Sequence, residues 1–573
     1  MSNESTPGTT PSGSQEVIRA LKRIGCDTLF GIPGIHNLDI YDELIDSGLT
    51  HITSRNEAGA AFMALGYGRA TGRPGVALVI TGPGLTNAAT AVAEAYHDSV
   101  PMLVISSQLP RRHVDRARGE LHELANSTRL ASSFTKESRR VPSVDAIGRY
   151  LSEAASLAVS GRPGPVHVEI PLDLLAPGAD AAAREAIESA VAALSGAKGS
   201  CAIIAGGGAI AAADALTELA ERLGAPVVTT AAGKGAIDER HALSLGGRLH
   251  MKPLREYLAG CEVVLAIGTQ LSTTDLWWEP FEVAGTYISL NIEPAHLDIA
   301  RVPDIALVGD CRQVVPGLNE RLEAAGVARP DEGAARQTDQ FRNRQASADV
   351  SKLCKRCDEA AGEVYGLDEA RLEVIRGMLS GIRAGLPEDA LFVADMTTPA
   401  YVGISEFACY SPGSYLHPAG YGTLGYALPT AVGAVAAKPE RAVCCLSGDG
   451  GFQFTSQELV VAVEAGMSLP VLVFNDRGYG EIRRTEELRH PGKRIAVDVA
   501  GPDFVAFAES LGANGVRLDV SPEARGDGMN DSPEANGVRL DVSPEGNGLS
   551  EKVAREVQKA LKAGVPTVIE VRV

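Results

Sequence analysis

Two acidic residues are placed where chemistry can happen: Asp449 in Gly448-Asp449-Gly450-Gly451, and Asp476 in Asn475-Asp476-Arg477-Gly478. Each follows an apolar, β-leaning run, over 442–446 and 469–474, and an amphipathic stretch over about 455–465 separates them. Strand, glycine turn, helix and strand make a βαβ unit whose parallel strands end side by side. Both carboxylates therefore emerge at one carboxyl edge, where open α/β sheets bind ligands. Two hard oxygen ligands and a loop carbonyl suit Mg²⁺, which also takes oxygens from a bound diphosphate. The glycines let backbone N–H groups approach such phosphates at a helix N-terminus. A third acid, Glu57, sits at a strand-to-helix junction among small apolar residues. The helix dipole alone would favour an acid there.

The elements that must position these residues follow the same alternation. In the first third, strands are expected over 28–32, 51–54, 76–81, 102–107 and 166–170, with helices over 57–71 and 85–96. The middle repeats the pattern, with strands over 201–205, 226–230, 263–267 and 286–290 and a Gly206-Gly207-Gly208 cluster after the first of them. A strand over 391–395 opens the last third, ending at Asp395 and Thr397. The expected fold class is α/β, with three doubly wound parallel-sheet domains. A length of 573 residues, with 62 glycines and 5% aromatics, agrees with three such domains.

Charge excludes some functions. There are 53 basic against 72 acidic residues, a net charge of −19, so the basic surface needed to bind nucleic acid or an acidic membrane is not expected. No apolar run approaches the ~18–20 residues of a membrane span. Residues 1–13, rich in Ser, Thr, Gly and Pro without the apolar core of a signal peptide, are expected as a flexible tail, and a cytoplasmic protein is expected. Nine scattered cysteines argue against a disulfide framework, and Cys354 and Cys357 form a lone CxxC.

Four segments carry a resemblance. SRNEAGAAFMALGYGRATG (54–72) is similar to the RHExGAAxMAxGYARATG segment of thiamine diphosphate (ThDP) enzymes, and GPGLTN (82–87) to their GPGxTN turn. HPAGYGTLGYALP (417–429) resembles their GxGTMGxGLPAAIGA, and GDGG with Asn475-Asp476 resembles their cofactor motif, which begins GDG and ends in an Asn pair. The resemblance covers 14–573 and implies a pyrimidine-binding domain over 14–178, a Rossmann-like central domain over 196–328, a linker over 329–370 and a diphosphate- and Mg²⁺-binding domain over 371–573. It implies that Glu57 hydrogen-bonds the aminopyrimidine ring and favours its imino tautomer, so that the imino nitrogen can act as base on the thiazolium carbon acid. It implies cofactor contacts from Gly34, Gly82, Asn87, Thr397, Gly448, Gly450, Gly451, Tyr479 and Gly480, with the Gly422 carbonyl on the cofactor's amino group and Leu424 wedging its two rings. The metal ligands would be Asp449, Asp476 and the carbonyl of Gly478. One departure is Asp476, which replaces the family's second Asn and adds a negative charge.

Within that family, acetolactate synthases carry an AFQE segment and a TK pair where this chain has Arg118-Gly119-Glu120-Leu121-His122-Glu123-Leu124 and Thr135-Lys136. His122 stands where their Gln does, and would relay protons or orient a carboxylate; a structural role is equally open. The RGxLHEL form also resembles decarboxylases of 5-guanidino-2-oxopentanoate. Glu481, Ile482 and Arg483 replace the usual Gly-Met-Val and are expected to border the substrate pocket, with Glu481 either holding a cationic tail or pairing with Arg484. Acetolactate synthases hold FAD in the central domain and many relatives hold none, so FAD is open here, as is Trp277-Trp278 packing on it.

The function implied is ThDP- and Mg²⁺-dependent decarboxylation of a small-molecule 2-oxo acid, with release of an aldehyde or carboligation to a second carbonyl. The alternatives are a 5-guanidino-2-oxopentanoate decarboxylase and a non-catalytic cofactor-binding paralogue. A homodimer or homotetramer with active sites at the subunit interface is implied, because family members draw Glu57 and the metal site from different subunits. Finally, Ala-Asn-Gly-Val-Arg-Leu-Asp-Val-Ser-Pro-Glu occurs at 513–523 and again at 535–545. One copy is expected as a strand and the other as a mobile loop.

Overall fold

A computed structural model of the chain describes residues 12–175, 179–197, 200–329, 337–420, 422–520, 538–541 and 548–573. The tail expected over 1–13 lies outside the described residues except for Ser12 and Gly13. These open the first helix, Gly13–Arg23, through a capping box between Ser12 and Gln15. Two compact units make up the chain, Met1–Glu188 and Ser189–Val573.

The first unit is built on one parallel sheet of β1 (Thr28–Gly31), β2 (Thr50–Thr53), β3 (Gly75–Val79), β4 (Met102–Gln108), β5 (Glu137–Arg140) and β6 (Pro165–Pro171), in the order β2-β1-β3-β4-β6-β5. Side chains alternate between its faces as a period of two requires. Leu78, Leu103 and Ile105 pack under helices Gly13–Arg23 and Ile147–Val159, whereas Ala77, Val79, Met102 and Val104 face helices Glu57–Thr71 and Pro83–His97. Both faces are covered, which is why these strands read as continuous apolar runs.

The second unit carries two parallel sheets. The first contains β7 (Cys201–Ala205), β8 (Val227–Thr229), β9 (Ser244–Gly246), β10 (Val263–Ile267), β11 (Thr286–Asn291) and β12 (Ile305–Val308), ordered β12-β11-β10-β7-β8-β9. The other contains β13 (Leu391–Ala394), β14 (Tyr415–Leu416), β15 (Val443–Gly448), β16 (Pro470–Asn475), β17 (Asn514–Asp519), β18 (Val538–Asp541) and β19 (Thr567–Arg572), ordered β14-β13-β15-β16-β19-β17-β18. One continuous core joins the two sheets. Lys234, fully buried, ties them: its ammonium donates to Glu239 Oε1 at 2.7 Å and to the Ile404 carbonyl at 3.0 Å.

Two expectations need correction. The stretch read as a linker carries the helix Gln337–Tyr365, whose Val350, Leu353, Cys357, Ala361 and Tyr365 are buried in that shared core. Their spacing is helical, but the charged residues between them hid it. The second copy of the duplicated segment also supplies a strand: β18 pairs in parallel with β17, Val516 opposite Val538 and Asp519 opposite Asp541. Identical sequences with the same strand pattern occupy neighbouring places. The 521–537 stretch between them lies outside the described residues. All nine cysteines are free, and Cys354 and Cys357 pack on the core.

Candidate active site

In each sheet the strand order reverses next to the first strand laid down, and a crevice opens at the carboxyl ends there. In the first unit it lies between β1 and β3. Gly34 follows β1, and its α-carbon packs against Ile80, where a Cβ would lie 2.6 Å from Cγ2. Gly82 follows β3 with φ of +62°, and the backbone oxygen of His122 occupies the space a Cβ would need. Only glycine fits at that position.

Glu57 is the first residue of its helix, after Asn56, whose side chain accepts from the Ala58 N–H at 2.9 Å. The Asn87 amide, from the neighbouring helix, donates to Glu57 Oε2 at 2.9 Å. Two of the expected residues thus form one unit that holds the carboxylate in a single orientation. Its charge also reaches Tyr41, whose hydroxyl is pushed well above its usual range by burial and then by Glu57.

His122 holds a left-handed backbone, φ +67°, and its ring meets that of His36 edge-on at 5.3 Å. Both Nδ1 atoms are buried without a hydrogen-bond partner. Burial, then the neighbouring His122, pull the His36 pKa down. His36 was missed in the sequence, where a lone His after a Pro-Gly turn gives no signal. Unsatisfied buried nitrogens of this kind are what a polar ligand would pair with.

In the second unit the crevice of the last sheet lies between β13 and β15. Gly448 is in register with Phe474, so Asp449 and the Asn475-Asp476 pair leave neighbouring strands together, as the βαβ reading requires. Asp449 Oδ2 accepts the Gly478 N–H at 2.9 Å. Burial, and after it the charge of Asp476, push the Asp449 carboxyl up to about 7. A buried Asp449 carboxyl held off ionising, with the Asp476 carboxylate beside it, is a donor set a divalent cation would satisfy. The residues fit Mg²⁺.

The same turn brings the other expected residues together. Gly478 lies so close to the Val497 carbonyl that no side chain fits, and Gly480 is equally tight against the Asp476 carboxylate. The Tyr479 ring lies against Gly450, and the Thr397 hydroxyl against Gly448. Gly450 and Gly451 open the short helix Asp449–Thr455. Their backbone N–H groups lie in its first turn, the end of a helix that favours an anion, and that of Gly450 is directed to the Asp449 carboxyl. Gly422, φ +71°, turns beside Met396, and Leu424 is half-buried nearby in sequence. Asp395 instead faces inward, accepting from Ser447 Oγ at 3.2 Å and the Ala427 N–H at 3.3 Å.

The three residues expected at the substrate pocket divide. Arg483 binds backbone carbonyls of the 475–478 turn, at 3.3 Å to Asp476 and 3.1 Å to Arg477. Ile482 is exposed. Glu481 pairs with Arg484 through two hydrogen bonds, 3.1 and 2.5 Å, and both line a cavity of about 340 Å³. Its walls include Met396, Thr398 and His417 from the cofactor-side crevice and Trp277 from the loop after β10. Arg371 was also missed: its guanidinium pairs with the Asp476 carboxylate.

The central sheet has its own crevice between β7 and β10, a cleft of about 540 Å³ bordered by Gly207, Gly208, Gly268 and Asn291. Its glycines are explained by packing. The backbones at 206–208 and 268 touch, with the Gly208 N–H donating to the Gly268 carbonyl at 2.9 Å. No flavin is needed to account for them.

Sequence comparison matches three family models: thiamine pyrophosphate enzyme N-terminal TPP binding domain over 11–130, central domain over 187–318 and C-terminal TPP binding domain over 400–531. The chain is 39% identical to the probable 2-ketoarginine decarboxylase AruI of Pseudomonas aeruginosa, over 88% of this chain and 89% of that one. It is 32% identical to the acetolactate synthase of Mycobacterium bovis, over 91% and 87%. It is 30% identical to the acetolactate synthase isozyme 3 large subunit of Escherichia coli, over 88% and 90%.

Proposed function

Because the chain belongs to the thiamine pyrophosphate enzyme family, we propose that it decarboxylates 5-guanidino-2-oxopentanoate, the 2-oxo acid of arginine, and releases the matching aldehyde. Membership makes it a ThDP-dependent enzyme of the 2-oxo acid decarboxylase and carboligase class. The bound cofactor supplies a carbon nucleophile for the 2-oxo group and an electron sink when CO₂ departs. Glu57, oriented by Asn87, holds the pyrimidine ring and sets its proton affinity. Asp449, Asp476 and the Gly478 carbonyl hold Mg²⁺, and the Gly451 N–H takes the diphosphate. His122, which meets His36 edge-on and keeps an unpartnered Nδ1, would move a proton at the product carbon.

The substrate choice is carried by the cavity beside β13. Pyruvate offers only a methyl group, and a 340 Å³ space with aromatic walls suits a long side chain. The relative at 39% identity, whose name gives the same oxo acid as its substrate, supports this reading.

The working unit is at least a dimer, in which Glu57 of one copy serves the Asp449 site of another. Ile35, Leu38, Phe62, Met63 and Leu121, all close in sequence to Gly34, Glu57 or His122, are large, apolar and exposed, as a surface covered by a second copy would be. Light scattering with and without ThDP and Mg²⁺ tests the assembly. Calorimetric titration with ThDP and Mg²⁺, then product analysis with the guanidino acid, tests the reaction. A protein that binds no cofactor would end this reading.

A further inference from the structure

We propose that Asp275 is the residue that receives the cationic end of the substrate, a specificity carboxylate in the aromatic cavity; this rests on the guanidino-acid reading above. The cavity joins two regions of the second unit. Met396 and Thr398 follow β13 at the cofactor crevice, while Asp275 and Trp277 come from the loop after β10. A ligand whose 2-oxo group sits at the crevice has its side chain in this space.

The charges on the cavity walls single out Asp275. Glu481 and Arg484 are both there, and they neutralise one another as a two-bonded pair. His250 and His417 also line it, and burial pulls their pKa values down to about 3 and about 4, so both are neutral at pH 7. Asp275 is what remains. Its Oδ2 accepts from the Ser272 N–H at 3.0 Å and the Ser272 hydroxyl at 2.8 Å, and no Lys or Arg pairs with it among the described residues. A half-buried carboxylate held by a hydroxyl and a backbone amide, without a cation, is costly to keep unless a ligand supplies the charge.

The surrounding rings fit the same ligand. Trp277 stacks on His250 at 4.4 Å and meets Tyr365 and Tyr401 edge-on at 5.6 and 6.3 Å. Indole and phenol faces attract a guanidinium, and a planar one can stack there while hydrogen-bonding a carboxylate. The loop is also strained. Leu271, Trp277 and Trp278 have φ of +46°, +52° and +64°, a region that bulky residues rarely adopt. Strain in three large side chains around one carboxylate marks a loop shaped for its ligand.

The test compares 5-guanidino-2-oxopentanoate with its uncharged counterpart, 2-oxo-5-ureidopentanoate, in wild type and Asp275→Asn, each with ThDP and Mg²⁺. Wild type should prefer the guanidino acid by about 100-fold in kcat/KM. Asp275→Asn should lose most of that preference through KM, with the ureido acid changed only a few-fold. An Asn variant that keeps the preference, or a loss of it in Glu481→Gln instead, would overturn the assignment of Asp275 while leaving the reaction intact. No preference in wild type would overturn the substrate reading beneath it. Because the chain's two tryptophans both line the cavity, their fluorescence reports occupancy by an unreactive cation-tailed ligand, 4-guanidinobutanoate. Saturable quenching in wild type that is absent in Asp275→Asn is expected, and equal quenching in both would overturn the proposal. Should Asp275→Asn not fold, Ser272→Ala keeps the charge and releases its orientation. It should raise KM for the guanidino acid about tenfold and leave the ureido acid alone; equal effects on both would count against the proposal.

Discussion

Arg371 and Asp476, 105 positions apart in the chain, form an ion pair at the turn after β16. Arg371 lies in the first turn of the helix Glu369–Gly385, and its backbone N–H donates to the capping Asp368 at 2.8 Å. The negative charge that Asp476 adds to the family pattern therefore comes with its own cation. The Asp476 side chain is 8% exposed and that of Arg371 35%. Arg371→Met should destabilise the cofactor-free protein by roughly 1–3 kcal/mol, between the values for exposed and buried pairs. Adding Asp476→Asn should restore most of the loss. Thermal unfolding of the two single variants and the double variant measures the coupling; purely additive losses would dissolve the pair as an energetic unit.

Glu57→Gln removes the charge while keeping the shape of the side chain that Asn87 holds. Turnover should fall by about 10²–10⁴-fold, with ThDP still bound in calorimetry. Asn87→Ala should cost less, since it frees the carboxylate without removing it. Near-normal turnover in the Gln variant would take Glu57 out of the reaction.

The places of the paired acids at neighbouring strand ends and of Glu57 at a helix start were legible because an apolar run, a glycine turn and a helix start each declare themselves within a few residues; the role expected of Glu57 came from the family resemblance. Asn87 was named through a motif as a cofactor contact, and its hold on Glu57 came only with the fold. Arg371, His36 and Asp275 were not legible, since each matters only through a neighbour brought by folding. Glu481 shows the same limit, because sequence alone left its choice between a ligand and Arg484 open, and the geometry gives it Arg484. The helix Gln337–Tyr365 was read as a linker because its apolar stripe is thin and set among charges.

Acid should unfold this protein earlier than its ion pairs alone would require. His167 is fully buried between the hydroxyls of Ser106 and Ser138, at 2.8 and 2.7 Å, and burial pulls its pKa down to about 3; His250 is held at about 3 as well. An unfolded histidine titrates near 6.5. Between these values the unfolded chain binds more protons, so stability is present above about pH 6.5 and is lost as pH falls towards 3. The slope is at most ~1.4 kcal/mol per pH unit for each histidine. Melting temperatures across pH 4–8 should drop on the acid side, and His167→Asn should flatten the drop. An unchanged acid limb in that variant would contradict the account.

The duplicated strand should be dispensable. Excising 524–545 removes β18 and leaves β17, whose Arg517 is buried and paired with Glu570 and Asp503, both at 2.6 Å. The shortened protein should keep its circular dichroism spectrum and bind ThDP within a few-fold of the full chain. Loss of folding would mean that β18 completes the sheet.

CO₂ release from 5-guanidino-2-oxopentanoate and from pyruvate, measured side by side with ThDP and Mg²⁺ and with products identified by mass, tests the central claim most directly. The account predicts strong preference for the guanidino acid and an aldehyde one carbon shorter as product. Preferential turnover of pyruvate to acetolactate would contradict it and make the chain a carboligase.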